Sequence, residues 1–331
     1  MDNVCIIGLG SIGRRHAKVL KQKGVEKIIG VDVRDDRIAQ AKEETEISHF
    51  SKSFTEVFAN HQVSTVFITL PTAYHTEIIR ESVLNNCNVF IEKPIAAVSD
   101  GLDEIHQDIK ARNLNSHVAY CYRFAPSVER LKQIVDSKLL GKVFSARLHI
   151  STYLPDWHPW EDYRDFYMAK MDQGGGARLD ESHGIDLLRW LFGEVSSVFS
   201  TVDTVSDLEI TSDDLTTMIL KFQSGLIAEA HFDLLGRTPR IGLELIGSEG
   251  TLVWDRIDGT IKIYDAKTKK WETEDFGKDD FVKSYDRQAE YVIDCFKNNR
   301  SSDCDFEDGV KTLRVLEGAL ESSSSRKMID I

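Results

Sequence analysis

The 331-residue sequence predicts an α/β domain on a doubly wound parallel sheet, followed by an α+β domain with a large, mostly antiparallel open sheet. Three observations predict it. Short apolar runs, of the kind that fill a strand buried on both faces, alternate with helical patterns through the first 120 residues. The first of them, Val4-Cys5-Ile6-Ile7, breaks into Gly8-Leu9-Gly10-Ser11-Ile12-Gly13. Beyond Pro126 the pattern changes to strands joined by hairpin signals: Gln223-Ser224-Gly225, Gly247-Ser248-Glu249-Gly250 and Asp258-Gly259. The boundary is expected near residue 122, giving domains 1–122 and 123–331.

Each element follows from local signals. After the first strand a helix opens at the glycine turn, and Lys27–Val33 reads as the second strand. Asp35 or Asp36 caps a helix through Glu44, and Ser53 caps another through Asn60. Thr65–Leu70 is a buried strand stopped by Pro71, with a helix from about His75 to Asn85. Asn88–Ile91 is the next strand, Ser99 opens a helix, and His117–Tyr122 closes the sheet. In the second domain a helix from Val128 to Leu140 ends at Gly141, and a strand covers 142–151. A loop rich in aromatics and charges leads to a helix near Glu181–Phe192 and an antiparallel sheet over 215–275 with helices on one face. Tyr285, Ala289, Val292, Ile293 and Phe296 make a core-facing stripe on a late helix, and a last helix spans about Gly309–Ser323.

Composition narrows the classes. With 41% apolar and 29% charged residues the chain reads as globular, and its net charge of −13 opposes nucleic acid or an anionic membrane as partner. No apolar stretch approaches membrane-spanning length, and the first strand starts without a signal peptide, so the cytoplasm is the expected location. Cys5, Cys87, Cys121, Cys295 and Cys304 have no C-x-x-C spacing and are expected as reduced, mostly buried thiols.

A strand ending in G-x-G-x-x-G and opening into a helix is the dinucleotide-binding fingerprint of a Rossmann domain. Gly8 makes the turn, Gly10 admits the pyrophosphate to the backbone, Gly13 lets helix and strand pack, and the N–H groups at Ser11 and Ile12 face the anion. Asp32, 24 residues beyond Gly8 at the end of the second strand, suits ribose hydroxyls and repels a 2′-phosphate, favouring NAD. Arg34 beside it keeps NADP open. Ligands bind outside the carboxyl ends of such strands. Thr69, Pro71 and His75 after the fourth strand, with Glu92 and Lys93 after the fifth, are therefore expected to line the cofactor crevice. Pro94 holds Lys93 extended, aiming its ammonium group at a substrate oxygen or leaving it paired with Glu92 or a phosphate.

A second cluster runs Gly174-Gly175-Gly176-Ala177-Arg178-Leu179-Asp180-Glu181-Ser182-His183-Gly184-Ile185-Asp186. Its glycines let the backbone come close to a ligand or to another segment. Asp180 and His183 share one helical face, and an imidazole beside a carboxylate is an acid/base unit. Asp186, one turn on, is either the orienting carboxylate or a structural one.

Taken in order, Gly8–Gly13, Glu92-Lys93-Pro94, Tyr122-Arg123-Phe124-Ala125-Pro126, and Gly174-Gly175-Gly176 with Asp180, His183 and Asp186 resemble the glucose–fructose oxidoreductase / inositol dehydrogenase / MocA (Gfo/Idh/MocA) family. The resemblance spans essentially the whole chain. It implies NAD-dependent hydride transfer to or from a secondary alcohol of a sugar, Lys93 and His183 as the catalytic pair, and Asp180 as the nearby acid. It also implies a homodimer or homotetramer. The sequence departs from many relatives in two places: only Glu181 and Ser182 separate Asp180 from His183, and Thr72 stands where asparagine is frequent.

The most individual segment is Tyr153-Leu154-Pro155-Asp156-Trp157-His158-Pro159-Trp160-Glu161-Asp162-Tyr163-Arg164. Rings stack on the C–H faces of a sugar while polar groups bond its hydroxyls. Tyr153, Trp157, His158, Tyr163 and Arg164, with Arg123, Asp180 and His183, are the expected substrate contacts, and Arg164, Arg178 or Lys170 suits a carboxylate or phosphate. Alternatively Trp157 and Trp160 pack the loop or build a subunit interface. The segment resembles that of members associated with surface-sugar and nonulosonic-acid metabolism. No metal-ligand spacing accompanies His149 and His158. Two rival expectations share the scaffold: an NAD-dependent glycosidase with transient sugar oxidation, and a non-catalytic NAD-binding regulator.

Overall fold

The structure, a computed structural model, describes residues 3–157, 159 and 161–331. The chain forms two units, 1–120 with 285–311 and 121–284 with 312–331.

The first unit holds β1 (Asn3–Ile7), α1 (Ser11–Gln22), β2 (Lys27–Val31), α2 (Asp35–Glu44), β3 (His49–Ser51), α3 (Phe54–Asn60), β4 (Thr65–Ile68), α4 (His75–Leu84), β5 (Asn88–Ile91), α5 (Leu102–Ala111) and β6 (Ser116–Val118). Its sheet is parallel in the order β3-β2-β1-β4-β5-β6. The strand order reverses between β1 and β4, which places the glycine turn at the topological switch point. Val4, Cys5 and Ile6 of β1 are fully buried, as a strand covered on both faces requires.

Local differences from the sequence reading have local causes. Gly101, left-handed at φ +75°, caps α5, so the helix begins at Leu102 and Ser99 only accepts the Leu102 N–H. β6 stops at Val118, and Cys121–Phe124 is a helical turn. β3, three partly exposed residues at the sheet edge, gives no periodic signal. Asp35 and Asp36 are first-turn residues of α2, where their charge favours the dipole, and Arg34 is the N-cap.

In the second unit come α6 (Pro126–Asp136), β7 (Val143–Tyr153), α7 (Ala177–Asp180), α8 (Ser182–Phe192), β8 (Val195–Asp203), β9 (Leu215–Phe222), β10 (Ile227–Asp233), β11 (Leu235–Gly247), β12 (Gly250–Asp255), β13 (Thr260–Asp265) and β14 (Lys270–Asp275). α9 (Val282–Lys297), α10 (Phe306–Ser325) and β15 (Ile329–Asp330) complete the chain. The sheet runs β14-β13-β12-β11-β7-β10-β9-β8-β15, antiparallel at every pairing except β7 with β10. Residues alternate: Ala146, Leu148 and Ile150 of β7 are buried while Arg147 faces out. α8 lies close on the buried face, since a Cβ at Gly184 would meet the Phe232 ring at 2.5 Å and Leu148 at 2.8 Å. α6 starts at Pro126, which suits a first helical turn, and ends before Lys138 at φ +57°.

The boundary near 122 does not divide the chain once and for all. Residues 285–311 belong with the first unit, because the stripe on α9 completes that core: Val292, Ile293 and Phe296 cluster with Val4, Ile6, Leu20, Phe67 and Phe90. Among the described residues no helix is long and apolar enough to cross a membrane.

Candidate active site

The three fingerprint glycines are there for different reasons. Gly8 sits at φ +101°, its N–H donates to Val31 O at 2.8 Å, and a Cβ would lie 2.6 Å from Thr69 O. A Cβ on Gly13 would fall on the Gly8 carbonyl oxygen. These two are required by the protein's own packing. Gly10 is not: the nearest atoms its Cβ would meet are Nη1 and Cζ of Arg37, at 3.5 and 3.9 Å. Its open face is a cradle that a side chain would fill, beside the α1 N-terminus, where the first N–H groups have no helical acceptor. Ser11 there is exposed. The turn therefore fits a dinucleotide pyrophosphate.

Asp32 is 6% exposed, and both its oxygens hold backbone: Oδ2 accepts from Leu9 N at 2.8 Å and Oδ1 from Arg34 N at 2.9 Å. The Arg34 guanidinium, expected near the cofactor, turns onto Asp36, with Nε and Nη2 donating at 3.0 and 2.5 Å. Arg37 instead approaches Asp32, Nη1 to Oδ2 4.0 Å. The sequence reading missed Arg37; its place one turn into α2 was the available signal.

Of the residues expected in the crevice, several hold the scaffold. Thr69 Oγ1 lies 3.0 Å from Ile7 O and 2.6 Å from Gly8 O, fixing the turn. His75 is fully buried, with Nδ1 3.1 Å from Pro94 O and Nε2 2.9 Å from Leu70 O. Burial lowers its pKa; a neutral ring donates from one nitrogen only, so it bonds one of these carbonyls and packs against the other, between the loops after β4 and β5. This corrects the expectation of a direct His75–cofactor contact: a ring with no exposed surface and a carbonyl at each nitrogen has no face to offer. Pro71 precedes a short helical turn, Thr72–Tyr74, rather than a bare loop. Glu92 Oε1 lies 2.7 Å from Nε2 of His16, which the sequence reading did not single out, and Oε2 accepts the Lys93 N–H at 3.3 Å. Lys93 itself is half-buried at the end of β5.

In the second unit, His183 is 8% exposed and stacks flat on Tyr122, centroids 4.2 Å apart at 8°. Tyr122 accepts from Arg256 Nη1 at 2.9 Å, and burial pushes its phenol pKa up, so it stays a neutral platform. Asp180, 2% exposed, accepts from the Tyr167 hydroxyl at 2.5 Å. Tyr122 as a stacking partner, Tyr167 and Arg256 were not singled out as site residues; no spacing in the sequence links them to His183 or Asp180.

Asp186 is half of a buried ion pair. Its carboxylate takes the Arg123 fork, Nε to Oδ2 3.0 Å and Nη2 to Oδ1 2.5 Å, with side chains 7% and 0% exposed. Arg123, expected to bind substrate, gives Nε and Nη2 to this buried pair. Arg178 likewise points inward, Nη1 donating to Leu316 O at 3.1 Å. The glycines before it pack on protein. A Cβ on Gly175 would strike Tyr167 O and Met168 O, and one on Gly176, at φ +111°, would strike Asp213. The neighbour that these glycines admit is another segment of the chain.

The aromatic loop is partly ordered by ion pairs. Arg164 donates to both Asp162 oxygens and, at 2.7 Å, to Glu209, so its fork is committed on the surface. Tyr163 Oη accepts the Glu209 N–H at 3.2 Å. Tyr153 lies under the Arg237 guanidinium, 3.7 Å from centroid, and Trp157 is half-buried. His158, with Trp160, lies outside the described residues.

Comparison with known proteins fits this geometry. The family model "Oxidoreductase family, NAD-binding Rossmann fold" matches residues 3–120, and "GFO/IDH/MocA C-terminal domain" matches 128–253. Myo-inositol 2-dehydrogenase of Thermotoga maritima is 28% identical over 264 residues, 77% of this chain and 75% of that protein. A 2,7-anhydro-N-acetylneuraminate hydratase of Mediterraneibacter gnavus is 22% identical over 269 residues, covering 78% and 69%. Levoglucosan dehydrogenase, solved in complex with NADH and levoglucosan, superposes with TM-score 0.89 at 19% identity, covering 100% and 99%. The chain belongs to the GFO/IDH/MocA family of NAD(P)-dependent oxidoreductases and carries its NAD-binding Rossmann domain.

Proposed function

We propose that this oxidoreductase is a dehydrogenase for a secondary alcohol of a sugar or sugar derivative. The observation that carries the reading is the cradle at Gly10, bordered only by the Arg37 guanidinium, in a turn whose shape Gly8, Gly13 and Thr69 fix. Dehydrogenase relatives of inositol and levoglucosan support the substrate class. When bound, the nicotinamide supplies hydride acceptance. In the oxidation direction His183 takes the proton from the substrate hydroxyl oxygen and Lys93 Nζ stabilises the developing alkoxide, or the two exchange these roles. Tyr122 holds the imidazole plane, and Asp180, held by the Tyr167 hydroxyl, is the proposed acid that tunes His183. The aromatic loop from Tyr153 to Tyr163 is the proposed sugar platform. A panel of inositols, anhydrosugars, pentoses and acidic nine-carbon sugars, followed at 340 nm, tests the reading; Lys93→Met and His183→Asn should then lower kcat by roughly 10²–10⁴-fold. Near-normal turnover in either variant would remove that residue from the mechanism.

A second reading has one specific support, the hydratase relative. Adding water changes no net oxidation state, so a nonulosonic-acid substrate turned over through transient oxidation gives product without accumulating NADH. Product formation with a flat 340 nm trace would favour it, and the glycosidase form of the same chemistry would show in released glycoside.

The second unit's sheet also supports a homo-oligomer. Phe199, Ile219, Ile227 and Ile246 are exposed on its outward face, beside the Arg147–Glu229 and Arg147–Glu244 pairs. An apolar patch rimmed by paired charges suits a second copy of the chain. Light scattering of wild type and of Ile219→Asp/Ile246→Asp decides it: a dimer or larger that dissociates in the variant is expected, and a wild-type monomer would refute it.

A further inference from the structure

Of the cations expected to take an anionic group of the substrate, the fold commits two elsewhere: Arg164 to Asp162 and Glu209, and Arg178 to Leu316 O. A guanidinium that the sequence reading passed over is placed for the task. β7 and β11 pair as Tyr153 with Leu235 and Ser151 with Arg240, so Gly236, Arg237, Thr238 and Pro239 stand opposite Thr152 alone. The bulge follows from its residues. A Cβ on Gly236 would strike the Ser151 hydroxyl, and Pro239 has no N–H to give the ladder. Arg237, Thr238 and Pro239 are exposed on it. The Arg237 guanidinium lies 3.7 Å from the centroid of Tyr153, the residue that opens the aromatic loop. Gly184, next to His183, packs on Phe232 near the end of β10, and from there the chain reaches the bulge within a few residues.

A stack on a ring fixes the plane of a guanidinium and leaves its N–H edge open. At Arg300, which lies over Tyr291, that edge is used: Nη2 donates to Asp294 Oδ2 at 2.8 Å. Arg237 meets no carboxylate among the described residues, although acidic residues outnumber basic ones 54 to 41 in this chain. A guanidinium held in this way matches two oxygens of a carboxylate or a phosphate at once. We propose that Arg237, on its Tyr153 platform, binds an anionic group of the substrate, so that the sugar taken by this site carries a carboxylate or a phosphate. The inference deepens the dehydrogenase reading and rests on its placing of the sugar against the aromatic loop.

The test reads binding and turnover separately. Wild type and Arg237→Met, with Arg300→Met as the control for a lost surface charge, are titrated by calorimetry with D-glucuronate, D-galacturonate, N-acetylneuraminate, D-glucose 6-phosphate and D-glucose. The same sugars are then offered with NAD and followed at 340 nm, and light scattering records the assembly of each variant. Wild type is expected to bind at least one anionic sugar about tenfold or more tightly than D-glucose, the preference shrinking with salt. Which anion is preferred names the carboxylate or the phosphate as the group recognised. Arg237→Met should weaken that sugar by about tenfold or more and leave D-glucose within about threefold, with KM raised, kcat within about threefold and assembly unchanged. Arg300→Met should leave every sugar within about threefold. No anionic preference in wild type, an equal loss in the control, or an Arg237→Met variant that changes assembly in place of affinity would overturn the proposal. Anion binding through Arg237 with no NADH formed from any sugar would uphold it and fail the dehydrogenase reading instead.

Discussion

Two glycine clusters, Gly8–Gly13 in the first unit and Gly174–Gly176 in the second, look alike in sequence and do different work. In the first, two glycines satisfy the protein's own packing and one, Gly10, leaves room on an open face. In the second, Gly174 adopts a left-handed φ of +76° to end a helical turn, while Gly175 and Gly176 press against Tyr167, Met168 and Asp213. Residue type alone does not separate a ligand cradle from a tight chain crossing. What separates them is which atoms a missing Cβ would meet.

The contrast can be broken most forcefully at Gly175. Gly175→Val should destabilise the protein by about 4 kcal/mol or more, since the new side chain meets backbone that cannot yield. Chemical denaturation reads this directly, and a loss below about 1 kcal/mol would return these glycines to the list of ligand contacts. Arg123→Leu comes next. It removes the guanidinium that pairs with the fully buried Asp186 carboxylate, which costs about 3–5 kcal/mol, whereas an Arg123 kept for substrate would show a raised KM on an intact fold.

The smallest effects distinguish two histidines. His75, buried in the first unit, has a folded pKa below its ordinary 6.5, so the unfolded chain binds a proton that the folded chain refuses. Its contribution is whole above 6.5 and is lost as pH falls towards the folded value. His231, on the second unit's sheet, has its pKa raised by the hydrogen bond to Asp233 at 3.0 Å. Its stabilisation is present below 6.5 and is lost as pH rises through the folded value. Melting scans should therefore show opposed slopes on either side of 6.5, and His231→Gln should flatten the alkaline one alone. An unchanged alkaline slope would dismiss the His231–Asp233 pair as a stabilising contact.

The parallel sheet, the glycine turn, Asp32 and the hairpins of the second sheet were legible because strand periodicity and turn chemistry are local. Ser53 capped its helix as read, accepting the Glu56 N–H at 3.3 Å. What was not legible depends on partners far apart in the chain. Arg123 with Asp186, Arg178 with Leu316, Tyr167 with Asp180 and Tyr122 with His183 are joined only by the fold. The apolar stripe on α9 was read correctly as core-facing, but nothing in its periodicity said that the core was that of the first unit. The misplacement of Arg34 and the omission of Arg37 have the same origin: both precede or enter α2, and only the helix geometry decides which guanidinium reaches the glycine turn.

The central claim is that Gly10 is a glycine for the cofactor's sake and not for the protein's. Titrating NADH into wild type and Gly10→Val, with a melting curve of each unliganded protein, tests it most directly. The account predicts wild-type binding, an affinity loss of about 100-fold or more in the variant, and unliganded melting temperatures that agree within about 2 °C. A variant that binds NADH like wild type, or one that loses binding only because it has lost its fold, would contradict it.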